Sequence, residues 1–173
     1  MFIESISKLQ CIKDIIDLER ENISIIPMRG GNLKSWIDKN YFKDSNVKEI
    51  HIYDSDVTEY IKKVDEINKN NDGRRWGINT KRLEIENYIS PKLIEQALNI
   101  QIEDEIKDTW SSVDVPKLIM EKYGQQKRMK ENNIKCLLNG RIAKMIKKED
   151  LIDIDAYDEI CEWFGMISKI NMQ

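Results

Sequence analysis

The chain has one histidine, His51, in 173 residues. A His-rich zinc site is therefore excluded, and a Ser-His-Asp or Cys-His enzyme would have to rest on that residue alone. Cysteine is scarce as well. Cys11, Cys136 and Cys161 are odd in number and far apart, which does not read as a disulfide framework and fits thiols in a reducing cytosol. Neither charge sign dominates: 28 basic and 31 acidic residues leave a net charge of -3, so the chain is no polycation that coats nucleic acid by bulk charge. No run approaches the roughly 18 apolar residues of a membrane span. The start, Met1-Phe2-Ile3-Glu4, lacks the basic region and apolar core of a signal peptide. The pattern G-x-x-x-x-G-K-[ST] is missing, so this chain does not supply a P-loop ATPase site. These absences point to a cytoplasmic, soluble protein without a membrane partner.

What is present is apolar residue enough for a core, at 40% of the chain, and a large supply of carboxylate. The length suits one domain, or one with a small appendage. Ile6 to Glu19 approximates a helical stripe, and Ile23 to Met28 is a β-branched run that reads as a buried strand. Leu33 to Tyr41 reads as a helix, Val47 to Tyr53 as a strand and Val57 to Asn68 as an amphipathic helix. Arg75 to Thr80 is a further short strand. Glu84 to Tyr88 opens a helical region that continues from Pro91, a first-turn proline, to Leu98. Alternating strands and helices predict an α/β fold with a mostly parallel central sheet flanked by helices. Beyond residue 100 the spacing predicts helices at 102–110, 115–132, 142–148 and 156–170. The expected organisation is a core over 1–100 and a helical C-terminal part over 101–173 packed on it.

The most informative acids are Asp54 and Asp56, at the end of a strand whose Ile50 and Ile52 alternate. Ligands of open α/β sheets bind outside the carboxyl ends of the strands, and residues two apart in extended chain share a side. Mg²⁺ prefers such oxygen ligands, often one or two carboxylates together with substrate phosphates. Asp56 also reads as an N-cap of the following helix. Glu4 follows Phe2-Ile3, which reads either as the end of an initial strand aimed at the same crevice or as an ordinary exposed start. Gly30-Gly31 lets backbone approach a ligand, or simply turns the chain. Lys81-Arg82-Leu83-Glu84-Ile85-Glu86-Asn87-Tyr88 sets cations beside acids just after a strand. That mixture suits a metal with a phosphate, and equally a solvated helix face.

Together, Phe2-Ile3-Glu4, Ile25 to Gly31, Ile52 to Asp56 and Thr80 to Ile89 resemble a Toprim domain of the OLD (overcoming lysogenization defect) nuclease type, over roughly residues 1 to 100. The resemblance implies a Toprim-like Rossmannoid core and a metal-dependent nuclease, cleaving DNA or RNA (tRNA included), in anti-phage defence. It implies Mg²⁺ or Mn²⁺ held by Glu4, Asp54 and Asp56. Glu86, and less directly Glu84, would serve as second-metal or supporting carboxylates. Lys81 and Arg82 are candidate cations for the scissile phosphate. Lys135 and Arg141, flanking Asn139-Gly140, are candidates for the late lysine of such enzymes. The family pattern of Glu-Gly followed by an aspartate is not kept: Ser5 follows Glu4, and Lys8 stands where an acid is expected. The resemblance also implies an ATPase of the AAA or ABC type, as a partner or as a preceding part of a longer chain, and allows a homo-oligomer. The alternative is a catalytically degenerate Toprim-like subunit that binds nucleic acid or such an ATPase, with tryptophans as contacts. A receiver-like phosphotransfer domain also carries acids at strand ends, but leaves the Glu-Asn-Tyr segment without a role.

Overall fold

A computed structural model describes residues 1–28, 33–70, 73–125 and 128–172, with residues 33 and 34 described in backbone only. Gly30 and Gly31 lie outside the described residues. The elements run α1 (Phe2–Ile6), α2 (Gln10–Lys13), α3 (Leu33–Lys39), β1 (Glu49–Tyr53), α4 (Thr58–Asn70), β2 (Arg75–Asn79), α5 (Pro91–Leu98), α6 (Asp104–Lys107), α7 (Val115–Ile119), α8 (Glu131–Leu137), α9 (Lys148–Asp153) and α10 (Tyr157–Asn171). Single turns of 3-10 helix occupy Ile85–Tyr88, Trp110–Ser112 and Ala143–Met145, and π-turns occupy Met120–Gly124 and Leu138–Ile142.

The α/β character rests on one β-α-β unit. β1 and β2 pair in parallel, with Glu49 opposite Arg75 and Tyr53 opposite Asn79, and α4 makes the crossover. The period of two along β1 sends its side chains to two different places. Ile50 and Ile52 pack on the main core with Ile78, whereas Tyr53 joins Ile37, Val64, Ile67 and Tyr60 in a smaller cluster under α4. Gly77 is where α4 comes closest to the sheet: a Cβ there would meet the Val64 Cα and Cγ1 at 3.1 Å. The Asn68 side chain seals that contact, donating to the Gly77 carbonyl at 3.0 Å and accepting its N–H at 2.9 Å.

The sheet is smaller than the sequence predicts. Among the described residues it has two strands. Phe2-Ile3-Glu4 is not a strand end but lies in α1. Ile23 to Met28 has no regular secondary structure and joins no ladder among the described residues. Its side chains still alternate as in a strand: Ile23 and Ile25 pack on the core and Ile26 is exposed. β-Branched residues favour a half-buried extended surface, and that preference does not supply a pairing partner. The stripe over 6–19 resolves into α1, α2 and turns. Residues 142–148 are not one helix: Ile142 ends a π-turn, Ala143–Met145 is a 3-10 turn, and Lys148 opens α9.

After residue 100 the described elements are all helical. One apolar core spans both parts of the chain, from Phe2, Ile6 and Ile12 through Tyr88, Ile94, Ile119 and Leu138 to Phe164. α10 delivers Ile160, Trp163, Phe164, Ile167 and Ile170 to the interior, the three- and four-residue spacing of one helix face. Trp110 and Trp163 are core side chains, and the Trp163 ring lies 4.9 Å from that of Tyr88. α5 starts as its sequence dictates: Pro91 takes the first position and the Ser90 hydroxyl accepts the Leu93 N–H at 3.2 Å. Cys11, Cys136 and Cys161 are free thiols. Among the described residues no helix is long and apolar enough to cross a membrane.

Candidate functional site

The segment after β2 folds back across the end of β1. The Thr80 N–H donates to the Tyr53 carbonyl at 2.8 Å, and the Ser55 N–H donates to the Leu83 carbonyl at 3.1 Å. The Ser55 hydroxyl also donates to the Thr80 carbonyl. These bonds fix the loop carrying Asp54 and Asp56 against the segment carrying Glu84 and Glu86. Asp54 itself clasps that segment: its Oδ1 accepts the Ile85 N–H at 2.7 Å. Asn87 anchors the far side. Its Oδ1 accepts the Glu84 N–H at 2.8 Å, while its Nδ2 donates to the Trp110 and Val113 carbonyls at 2.5 and 2.8 Å. Asn87 is fully buried. It is therefore a strut of the site rather than a group offered to a ligand.

Opposite the acids stand Lys135 on α8 and Asn139 in the π-turn that follows. The two are four residues apart and share a face, while Glu84 and Glu86 are two apart in a tight turn. The Lys135 ammonium meets Glu84 Oε1 at 2.8 Å, and Asn139 Nδ2 donates to Glu86 Oε1 at 2.7 Å. Glu84 and Glu86 are buried, the latter only 2% exposed. Two oxygens here are buried without a hydrogen-bond partner, Glu84 Oε2 and Asn139 Oδ1. Buried polar atoms of this kind are usually satisfied, so the site holds unspent acceptor capacity.

The electrostatics follow from burial and like charge. Burial, then the charge of Glu86, push the Asp54 carboxyl up to about 7; Asp56 and Glu84 add to this, and the Ile85 N–H opposes it. Burial also raises Glu86, against the opposing charge of Lys135. Glu84 is raised by burial despite its hydrogen bond from Lys135. For Lys135 burial works downward, but the hydrogen bond to Glu84 and the charges of Glu86, Glu84 and Asp54 outweigh it and hold the ammonium charged. The shared contact thus favours charge on Lys135 without bringing Glu84 below the ordinary carboxylate range. The reason is that Glu84 is buried while Lys135 is about one third exposed. Lys135 faces three neighbouring acids, Glu84, Glu86 and Asp54.

The expected site residues divide. Asp54, Asp56, Glu84, Glu86 and Lys135 interact with one another. Glu4 has other company: it is 54% exposed on α1, with Lys8 at 3.2 Å and the N-terminal ammonium at 3.5 Å. Those two cations hold its carboxyl below the usual range. Lys81 is exposed and reaches Glu162 at 2.8 Å, and its N–H donates to Glu159 at 2.8 Å. Arg82 donates to the Ile154 carbonyl and lies 5.3 Å from the centre of the Tyr88 ring. Arg141 is exposed. Asn139 is the site member that sequence reasoning passed over except as a flank of Lys135 and Arg141. The signal was its place four residues after Lys135.

The donor set is hard oxygen, the type that Mg²⁺ and Mn²⁺ prefer, and Glu84 Oε2 is a free buried acceptor within it. Among the described residues, however, no three His, Cys, Asp or Glu side chains are grouped closely enough to hold a metal ion between them. Mg²⁺ is commonly held by one or two carboxylates, with waters and phosphate oxygens completing the shell, so a cage of three acids is not a requirement. No protein-family model matches the chain, and no curated protein and no solved structure matches it.

Proposed function

We propose that this protein is a Mg²⁺- or Mn²⁺-dependent nuclease of Toprim type that hydrolyses phosphodiesters of DNA or RNA. The observation that carries this reading is the assembly of Asp54, Asp56, Glu84 and Glu86 at the carboxyl end of β1, with Lys135, among the described residues, the one cation hydrogen-bonded to an acid of the set. The resemblance of the Thr80 to Ile89 segment and of Asp54-Ser55-Asp56 to OLD-type Toprim domains supports it. Asp54 and Glu86 are the carboxylates expected to hold the ion, with Asp56 exposed and Glu84 buried beside them. A bound divalent ion supplies a Lewis acid for the phosphate and a water made nucleophilic at neutral pH. Lys135 holds Glu84 in place and sets a positive charge beside the acids, where a non-bridging phosphate oxygen needs one. Asn139 orients Glu86. Glu4, Lys81 and Arg82 carry no part in this reaction. The cellular role that fits is anti-phage defence in the cytoplasm, alongside an AAA- or ABC-type ATPase.

A second reading is favoured by one feature. Lys135 and Asn139 already bond Glu84 and Glu86, as they would in a structural polar network. On that reading the chain is a binding subunit of an ATPase-containing complex. One experiment separates the two. Plasmid DNA and tRNA are incubated with the protein and Mn²⁺ or Mg²⁺, with and without chelator, beside Asp54→Asn and Glu86→Gln variants. Cleavage that needs the metal and is lost in both variants supports the nuclease. No cleavage, together with no Mn²⁺ binding by calorimetry, leaves the binding subunit.

A further inference from the structure

Away from the acids, a cleft of about 570 Å³ opens between the start of α5, the Lys107 to Ser111 segment and the end of α9. Its walls include Arg82, Lys92, Lys107 and Trp110, with Asp108 and Asp153 also contributing. Arg82 is unusual for its position. It is only 9% exposed and its Nε is buried without a hydrogen-bond partner. Its polar contact is the Ile154 carbonyl, and among the described residues no carboxylate pairs with it. A buried charge is normally compensated by an opposite one, because its lost hydration is costly. The Tyr88 ring and one carbonyl compensate it only in part.

The surroundings are those of an anion site. Ser90, Pro91 and Lys92 line the cleft, so the positive end of the eight-residue helix α5 faces it. Three cations stand against two acids in the lining. Lys92 is shared with Asp153 at a loose 3.6 Å, while the acids that hold Lys107, Glu95 and Asp104, are not among the lining residues. The volume is in the range of about 300–1,000 Å³ typical of small-molecule sites and exceeds the needs of a simple ion. An arginine fork matches the oxygens of a phosphate, which a point charge does not.

We infer that this cleft is a phosphate-binding site, in which Arg82, Lys92 and the start of α5 take the phosphoryl group of a nucleotide-sized ligand. The phosphate can come from a free nucleotide or from a nucleic-acid strand. None of Asp54, Asp56, Glu84 and Glu86 lines this cleft, and the inference does not depend on the nuclease reading.

The test is isothermal titration of the full chain with pyrophosphate, ATP without metal, and a single-stranded oligodeoxynucleotide, each matched in ionic strength with KCl. Binding is expected for at least one of the three. ATP binding without the oligonucleotide identifies a free nucleotide as the source, and the reverse identifies a strand. Lys92→Gln is exposed and should fold; it is expected to weaken binding about tenfold, the worth of one charge-assisted hydrogen bond. Asp153→Asn frees Lys92 and should tighten binding. Asp54→Asn should leave it unchanged, even if it abolishes cleavage. Arg82→Gln should remove binding; circular dichroism and an unfolding curve establish that the variant is folded. Absence of binding to all three probes at millimolar concentration overturns the proposal. So does binding that neither Lys92→Gln nor Asp153→Asn alters.

Discussion

Replacing Asp54 by asparagine keeps the shape and the acceptor for the Ile85 N–H but removes the charge. In the folded protein the Asp54 carboxyl is pushed up to about 7 from an ordinary value of 3.8, by burial first and by Glu86 next. A group raised on folding binds its proton more tightly in the native state. Stability then falls as pH rises from the unfolded value to the folded one, and the penalty is complete above about 7. At 1.36 kcal/mol per pH unit, the interval corresponds to about 4 kcal/mol at most. The asparagine amide needs a partner of its own, which offsets about 1–2 kcal/mol of that. Asp54→Asn is therefore expected to be more stable than the natural protein by about 2 kcal/mol at pH 8. The gap should close as pH falls towards the ordinary value of 3.8, below which the carboxyl becomes protonated in both states. Urea unfolding of both proteins at half-unit steps from pH 5 to 8 measures this directly. Parallel stability curves across that range, or a variant less stable at pH 8, would refute the account of Asp54 as a half-buried acid whose charge is disfavoured by its surroundings. If the site holds a metal, Mn²⁺ should stabilise the natural protein at pH 8 and do little for the variant.

Lys135→Met should leave Glu84 buried with no counter-charge and destabilise the protein by about 2 kcal/mol, a figure reduced from the fully buried case because the lysine is partly exposed; the double variant with Glu84→Gln should recover most of that in the same unfolding assay. Gly77→Ala drives a methyl to 3.1 Å from the Val64 Cα, a backbone atom that cannot rotate away, so a loss of about 1–3 kcal/mol is expected by thermal unfolding. Glu4→Gln removes an exposed acid held by Lys8 and the chain terminus, and is expected to leave both stability and any metal-dependent cleavage unchanged. A large loss of cleavage in that variant would restore Glu4 to the site.

The β-α-β unit was legible in the residues because its signals are local. Ile50 and Ile52 alternate with His51 and Tyr53, the following helix has a single apolar face, and a short apolar strand comes after a polar turn. The same reading overestimated the sheet, because a strand exists only when another chain segment supplies its hydrogen bonds. Ile23 to Met28 has the composition and the alternation of a strand but no pairing partner among the described residues. Phe2-Ile3-Glu4 is too short for its sequence to decide between helix and strand, and its place in α1 brings Phe2 within 6.0 Å of the Tyr88 ring.

The sequence by itself determined the chemical limits of this protein. With one histidine, many acids and no P-loop pattern, the residues weigh against chemistry built on several histidines and make carboxylate the most abundant reactive group. It also placed Asp54 and Asp56 at a strand end and Glu84 and Glu86 in the segment that follows β2. Only the tertiary structure decided which charges share an environment. Lys81 and Arg82 adjoin Glu84 in the chain yet face Glu162 and Ile154, while Lys135 and Asn139 cross some fifty residues to reach Glu84 and Glu86. Electrostatic energy depends on separation through space and on burial, and neither is fixed by distance along the chain.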